Sequence, residues 1–146
     1  MKDAILVTRR DEVPLLNVLG VGVQVLLDER DTDGQGVVGL CVCEPGEGAP
    51  PHTHDQIELF YVIEGTVSFF DGVDWLSASQ GDAVKVPAGR VHGFRNDTEE
   101  TVRFLTISSP AAHARFFREA DATFRSGKMD PDAVGSLCRS NGIALA

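Results

Sequence analysis

The sequence predicts a single all-β domain, a sandwich or barrel, followed by a short helical segment. Short apolar runs recur at regular spacing and are separated by turn signals, a pattern typical of sandwiches and barrels. The 146 residues include 15 Gly and 7 Pro, which fits a chain with many turns. Helical periodicity begins only after Pro110. This length fits one domain with one substantial core.

The strands are bounded by turn residues. In chain order, the predicted strands cover residues 21–29, 37–43, two strands within 58–70, then 73–79, 83–89, 91–96 and 101–108. The run 58–70 breaks at Glu64-Gly65 and stops at Asp71-Gly72, which is a strong hairpin-turn signal. Residues 44–51, EPGEGAPP, predict a loop without regular structure that leads to His52, because glycine and proline favour turns.

After the last predicted strand the periodicity becomes helical. Residues 111–127 carry Ala112, Phe116 or Phe117, Ala120 and Phe124 at helical intervals. Residues 131–143 predict a shorter helix, with Asp130 or Asp132 near its start and Gly142 past its end. The predicted organisation is an N-terminal arm over 1–13, a β-barrel over 14–110 and a helical tail over 111–146, which packs on the barrel or on a partner subunit.

The composition excludes several classes of partner. A formal net charge of −9 disfavours nucleic acid and anionic membranes, since both reward clustered lysine and arginine. The first residues lack the apolar core of a signal peptide, and no apolar stretch approaches the roughly 20 residues that span a bilayer. We therefore expect a soluble, cytoplasmic protein that binds neither nucleic acid nor membrane.

Three cysteines do not form a disulfide framework. Cys41 and Cys43 lie two apart in a predicted strand and point to the same face. Two interpretations stay open for this pair: small buried hydrophobic side chains, or a thiol that faces a metal cavity. Cys138 lies in the predicted helical tail, where we expect it to be inert.

Three of the four histidines and one glutamate fall at spacings typical of metal ligands. His52 and His54 are two apart and point to one face of a strand. Glu58 has the same parity but follows a short break, so it enters from the next strand, and His92 arrives from a strand distant in sequence. Imidazole and carboxylate together suit Fe, Mn, Co, Ni, Cu or Zn. The fourth histidine, His113, falls in a predicted helix, where a lone histidine is rarely a ligand.

The surrounding glycines, proline and asparagine complete two recognisable motifs. The first motif runs from Gly46 to Gly65 and the second from Gly81 to Asn96, with fifteen residues between them. They match the two signatures of the cupin superfamily, G(X)5HXH(X)3,4E(X)6G and G(X)5PXG(X)2H(X)3N, at every fixed position. The chain therefore resembles small single-domain cupins of the conserved-barrel type. With its flanking strands, the resemblance extends from about residue 14 to residue 110.

The resemblance implies a double-stranded β-helix, or jelly-roll barrel, with six or more strands in a protein that is often a homodimer. It implies one divalent transition metal per chain, held by His52, His54, Glu58 and His92. The glycines of the motifs, with Pro87 and Asn96, would shape turns. A six-coordinate metal would keep up to two open positions, whereas a structural zinc site closes at four ligands.

The chemistry of such a site depends on the pocket around it. Strand alternation sends Phe60 and Val62 inward with Glu58, and Phe94 inward with His92. We expect these three side chains either to line an apolar substrate pocket or merely to fill the barrel. No arginine or lysine is predicted to face inward, which disfavours a phosphosugar substrate.

Among single-domain cupins, the segment PPHTH…ELFYVIEG and the tail most resemble the quercetin dioxygenase-like group. That resemblance implies O₂-dependent cleavage of a small aromatic or enol substrate, with Glu58 as catalytic base. Two alternatives remain: a non-redox lyase, decarboxylase or isomerase that uses the metal as a Lewis acid, and a non-catalytic small-molecule or metal-binding module. Cysteine dioxygenation is disfavoured, since that group's usual site has three histidines without the glutamate.

Overall fold

The computed structural model describes residues 4–127 and 129–146. The strands are, in chain order, β1 (Leu16–Val18), β2 (Val21–Leu27), β3 (Val37–Cys43), β4 (Gly48–Thr53), β5 (Ile57–Glu64), β6 (Thr66–Phe70), β7 (Trp75–Ser79), β8 (Ala83–Val86), β9 (His92–Arg95), β10 (Val102–Ser109) and β11 (Ala144–Leu145). The helices are a 3₁₀ turn (Arg10–Glu12), α1 (Ala114–Arg125) and α2 (Pro131–Ser140). The all-β class with a short helical tail is confirmed.

Two antiparallel sheets form the barrel. One has six strands in the order β1-β2-β3-β10-β5-β8, and the other has five in the order β11-β4-β9-β6-β7. Several neighbours in each sheet are distant in sequence, as in β10 between β3 and β5 or β9 between β4 and β6. This is the jelly-roll arrangement, and it brings β4, β5 and β9 to one end of the barrel interior.

Four phenylalanines join the two sheets below that end. Phe60 and Phe104 come from the six-stranded sheet, and Phe69 and Phe94 come from the five-stranded sheet. Their ring centroids lie 4.8 to 6.4 Å apart, in tilted and edge-to-face contacts that aromatic side chains prefer. This cluster forms the floor beneath the polar end of the barrel.

Strand β5 shows the predicted alternation. Glu58, Phe60 and Val62 are buried, whereas the residues between them point outward and are exposed. Tyr61 keeps 47% of its surface exposed, as the opposite parity predicts. The β5 pattern therefore places Glu58 and Phe60 on the inner face, with the carboxylate nearest the end of the strand.

The predicted loop over 44–51 is wrong in its second half, because β4 begins at Gly48. Strand β4 pairs with β9, and its register shifts between Ala49 and His52. Pro50 and Pro51 lie at this shift, where the irregular pairing tolerates two residues without an N–H donor. Gly48 is required here, because a Cβ at this position would lie 2.2 Å from the Phe94 carbonyl oxygen.

The C-terminal segment folds back onto the barrel of its own chain. Helix α1 packs beside β1, and β11 pairs with β4, so that Leu145 lies opposite His52 and Ala144 opposite Thr53. The Asp130 side chain accepts a hydrogen bond from the Ala133 N–H at the start of α2, which identifies the capping residue of that helix. Strand β11 was not predicted, since two residues carry no periodicity.

The N-terminal arm is tied to β2. Among residues 4–13, the backbone oxygens of Arg10 and Val13 both accept hydrogen bonds from the Gln24 side chain. Residues 1–3 of the predicted arm lie outside the described residues.

Neither helix in the described part of the chain has the length and hydropathy that a membrane crossing requires.

Candidate metal centre and cavity

Three histidines meet at the end of the barrel. His52 lies on β4, His54 follows directly after β4, and His92 is the first residue of β9. His52 and His92 are opposite each other in the β4–β9 pairing. One ring nitrogen from each of the three lies within 4.8 Å of the others, and these residues could hold a metal ion.

Backbone oxygens orient all three rings. In each ring, Nδ1 lies at hydrogen-bond distance from a carbonyl oxygen two residues away in sequence. The Nδ1···O distances are 2.7 Å for His52 with Pro50, 2.8 Å for His92 with Arg90 and 3.1 Å for His54 with Gln56. A neutral histidine that donates from Nδ1 carries its lone pair on Nε2. The hydrogen bonds of the second nitrogen orient metal-ligating histidines in the same way.

The Glu58 carboxylate lies between the histidines and β10. Its Oε2 is 2.8 Å from His54 Nε2 and 3.3 Å from His92 Nε2, and its Oε1 accepts a 2.7 Å hydrogen bond from the Thr106 hydroxyl. Burial would raise the pKa of Glu58, but the hydrogen bonds with His54 and His92 outweigh it and lower this pKa below its usual value. The carboxylate is therefore held ionised.

The donor set fits a divalent transition metal. The hydrogen bonds of Glu58 with His54 and His92 require a proton on each Nε2, and a neutral ring that donates from Nδ1 to a carbonyl oxygen does not carry one there. Lone pairs and a carboxylate oxygen then face one another in a buried site, which is unfavourable unless a cation lies between them. Imidazole nitrogen with one carboxylate is a ligand set that suits Fe, Mn, Co, Ni, Cu and Zn.

The protonation of the rings fits the same interpretation. Burial is the main cause that lowers the pKa of His52 to about 4. Burial also acts to lower the pKa of His92, but the hydrogen bonds with Glu58 and the Arg90 carbonyl oxygen and the charge of Glu58 together raise that pKa. A metal ligand must be deprotonated, so His52 is ready to bind at neutral pH.

A cavity of about 140 Å³ opens beside this centre. Of the three predicted pocket residues, Phe60 and Phe94 line the cavity, and Val62 is fully buried in the core below it. Cys41 and Thr106 also face the cavity, on the side of the six-stranded sheet. The substrate role of Phe60, Val62 and Phe94 stays a prediction.

The cysteines are free and buried. Cys41 lines the cavity, but burial and the charge of Glu58 raise the pKa of its thiol, which opposes formation of a thiolate ligand. Burial likewise raises the pKa of Cys43 to about 12, and its thiol donates to the Glu47 carbonyl oxygen. Cys138 also reaches the cavity wall, which its position in the tail did not predict.

The tail supplies much of the cavity wall, and sequence reasoning missed this contribution. The lining side chains of the tail are His113, Phe116, Phe117, Val134, Cys138, Ile143 and Leu145. His113 lies just before α1 and not within it, and its ring centroid is 4.4 Å from that of His54. The available signal was the helical spacing of Phe116 and Phe117, which indicates an apolar face without saying what it covers.

Asn96, a fixed position of the second motif, has a structural role. Its side-chain N–H groups donate to the carbonyl oxygens of Cys43 and Glu100 at 2.9 and 2.7 Å. Its Oδ1 accepts from the backbone and hydroxyl of Thr98. These bonds fix the turn between β9 and β10 against β3, as the resemblance implies.

Comparison with known proteins agrees with the geometry. The family described as Cupin domain matches residues 39–108, which include the three histidines and Glu58. Quercetin 2,3-dioxygenase from Bacillus subtilis is 28% identical over 96 residues, which are 65% of this chain and 28% of that protein. An uncharacterised protein from Streptomyces coelicolor is 32% identical over 73 residues, which are 50% of this chain and 69% of that protein.

Among solved structures, the polyketide cyclase RemF from Streptomyces resistomycificus has a TM-score of 0.65 and 24% identity. The similarity covers 73% of this chain and 80% of that chain. At this identity, the match supports a shared fold. The chain spans only 28% of the length of the dioxygenase, so the similarity concerns one domain.

Proposed function

Because the chain belongs to the cupin family, we propose that it is a metal-dependent oxidoreductase of the dioxygenase type. Its substrate would be a small organic molecule, aromatic or enolic, bound in the cavity beside the metal centre. The observation that carries this proposal is the convergence of three oriented imidazoles and one ionised carboxylate on a mostly apolar cavity. The similarity to quercetin 2,3-dioxygenase supports the choice of oxygen chemistry.

The ligands would be His52, His54, Glu58 and His92. Nε2 of each histidine faces the centre because a carbonyl oxygen engages its Nδ1. A bound divalent transition metal would act as a Lewis acid toward a substrate oxygen, which makes the attached hydroxyl or C–H group more acidic. The apolar wall excludes water from the reacting atoms, and electrostatic interactions strengthen when water is excluded.

Glu58 would accept the substrate proton. In this arrangement its pKa is lowered, so the carboxylate is ionised but weakly basic. A weak base removes a proton efficiently only from a substrate of matched acidity. A metal bound beside Glu58 would make the substrate more acidic and so provide that match. Thr106 holds Oε1 of Glu58, so Oε2, which lies beside His54 and His92, would be the oxygen that accepts the proton.

The alternative is non-redox chemistry on the same residues, as in a lyase, decarboxylase or isomerase. A Lewis acid beside a carboxylate base is sufficient for proton removal without O₂. The polyketide cyclase that shares the fold supports this alternative. A module that binds without turnover is the remaining possibility.

Metal analysis tests the ligand assignment. Protein purified without a histidine tag should contain about one transition metal per chain, and the His52→Ala/His54→Ala double variant should contain almost none. A variant in which only His113 is changed is the matched control, because His113 is a buried histidine of the same cavity outside the proposed ligand set. Full occupancy in the double variant would refute the assignment.

An oxygen electrode separates the classes of reaction. Protein loaded with Fe(II), Mn(II) or Ni(II) would be mixed with a panel of enols, phenols and flavonols. O₂ uptake coupled to substrate loss supports the dioxygenase. Substrate loss without O₂ uptake supports the lyase or isomerase, and saturable binding without either supports the module. The wild-type protein loaded with Zn(II) serves as a redox-inactive control.

The homodimer implied by the resemblance is part of the proposal as well. The outward side chains of β5 form an exposed apolar row, Ile57, Leu59, Tyr61 and Ile63, which supports an interface on the six-stranded sheet. Light scattering after gel filtration would give a mass near twice 15.7 kDa. A monomer mass at micromolar concentration would contradict it.

A further inference from the structure

His113 has two local features that cost free energy and that the fold alone does not explain. Its backbone is left-handed, with φ 80° and ψ −21°, a conformation that residues other than glycine seldom adopt. It lies at the N-cap of α1, yet its side chain makes no capping hydrogen bond. Strained residues that persist tend to cluster at functional sites.

The second cost is an unpaired polar atom. Among the described residues, Nε2 of His113 is the sole buried side-chain nitrogen or oxygen without a hydrogen-bond partner. A buried polar atom left unpaired is unfavourable, unless a bound molecule supplies the partner. The ring lines the cavity and lies 4.4 Å from the His54 ring, centroid to centroid. A molecule bound beside the histidine centre would therefore contact His113.

The turn that presents His113 is anchored on both sides. The Ala111 N–H donates to the Gly34 carbonyl oxygen at 2.9 Å, and the Ser108 hydroxyl donates to the Ala112 carbonyl oxygen at 3.1 Å. The first contact joins the turn to the loop between β2 and β3, and the second joins it to the end of β10. The position of His113 is thus set by the barrel.

The cavity restricts the size of the molecule. Its volume is about 140 Å³, and a dry apolar cavity of about 150 Å³ in another protein accommodates benzene. Drug-sized ligands with several rings occupy pockets of roughly 300 to 1,000 Å³. The volume therefore fits one aromatic or enolic ring with its substituents.

We propose that His113 is a substrate-binding residue whose Nε2 forms a hydrogen bond with an oxygen of a single-ring substrate. The apolar wall from Phe60, Phe94 and Phe117 contacts the ring faces and edges, and His113 recognises one polar substituent. This inference rests on the proposed function only in that the cavity holds the substrate.

The test compares two ring compounds of nearly equal shape. The full-length protein, loaded with redox-inactive Zn²⁺, would be titrated with 4-fluorophenol and with 4-fluorotoluene, and binding followed by ¹⁹F NMR. Wild-type protein should bind the phenol more tightly. The His113→Gly variant keeps the left-handed backbone without strain. Its preference for the phenol over the toluene should be about five- to tenfold smaller than that of wild-type protein.

A variant of Phe117, whose ring centroid lies 6.2 Å from that of His113, is the matched control. Phe117→Leu changes the shape of the cavity without changing any hydrogen bond, so the affinities for both probes should shift together and their ratio should persist. An unchanged ratio in His113→Gly would overturn the inference. So would failure of both probes to bind wild-type protein, or a loss of Zn²⁺ from His113→Gly, which would make His113 a metal ligand instead.

These outcomes are independent of the reaction class. Binding is measured on the Zn²⁺ form, so an absence of O₂ uptake with other metals would refute the dioxygenase without affecting the role of His113. Thermal melting of His113→Gly provides the folding control, and we expect its melting temperature to equal or exceed that of wild-type protein.

Discussion

Replacement of Thr106 by valine tests whether the hydrogen bond from β10 orients the Glu58 carboxylate. Thr106 lies on β10, is 5% exposed, and donates a 2.7 Å hydrogen bond to Oε1 of Glu58. Valine has nearly the same volume but no hydroxyl, so the change removes one hydrogen bond to a buried charge. Hydrogen bonds to charged groups contribute about 1.5–3 kcal/mol. We expect the metal-free variant to lose a free energy of unfolding in that range.

The same change should weaken metal binding. A hydrogen-bond partner that orients a ligating side chain is worth about 10- to 100-fold in metal affinity, and without Thr106 the Glu58 carboxylate is free to rotate. The pKa of Glu58 should rise, because the buried charge loses a donor while burial continues to raise that pKa. Competition with a chromophoric chelator gives the metal affinity at several pH values, and urea unfolding gives the stability.

The matched control is Thr101→Val. Thr101 donates a 2.7 Å hydrogen bond to Glu44, also a threonine-to-carboxylate bond, but at an exposed position. A surface bond of this type contributes little, and it lies far from the histidines in the fold. If Thr106→Val and Thr101→Val gave the same small loss of stability and an unchanged metal affinity, Glu58 would not depend on Thr106 for its orientation.

Three further predictions follow from the local geometry. Gly93→Ala should destabilise the protein by about 1–3 kcal/mol and lower metal affinity, because its Cβ would lie 2.8 Å from the Ala49 carbonyl oxygen and push β4 from β9; an unchanged melting temperature would contradict this. Asn96→Ala should lower the urea-unfolding free energy by about 2–3 kcal/mol, since it leaves the buried Cys43 carbonyl oxygen without its donor; a loss near zero would be inconsistent with that role. Metal-free protein should lose stability as pH falls from 6.5 toward about 4, because the folded pKa of His52 is depressed and the unfolded state binds the proton first; melting curves that do not change across this window would refute the assignment.

The proposed metal ligands could be identified from sequence because each lies on a regular strand or at its end. Alternation along β5 follows from strand geometry alone, so the inward directions of Glu58 and Phe60 needed no knowledge of the third dimension. His52 and His92 are direct cross-strand neighbours, a pairing that the spacing within the two motifs does not state. The inward directions follow from local rules, and the structure brings the three histidines and Glu58 together, but their role as ligands stays a prediction.

The errors arose where tertiary contacts override local preference. Residues 48–53 form a strand despite Pro50 and Pro51, because β9 and β11 pair with β4 only where N–H donors remain. His113 was assigned to a helix, but the anchored turn holds it in a left-handed backbone before α1. A turn that is fixed by contacts with distant loops leaves no periodic pattern in the sequence. The strand over 48–53 and the turn at His113 could therefore be recognised only from the structure.

The residues of the site that could be predicted from the sequence are mainly those proposed to bind the metal. The residues that could not be predicted are mainly those that would recognise the substrate. The family match ends at residue 108, and the proposed metal ligands and Phe60 and Phe94 all precede that point. The wall beyond residue 108, from His113 to Leu145, comes from the tail. A shared scaffold hosts different reactions through the residues that surround its common centre. The substrate of this chain should therefore depend most on the tail, and cupins that share the ligands but differ there should not share its substrate.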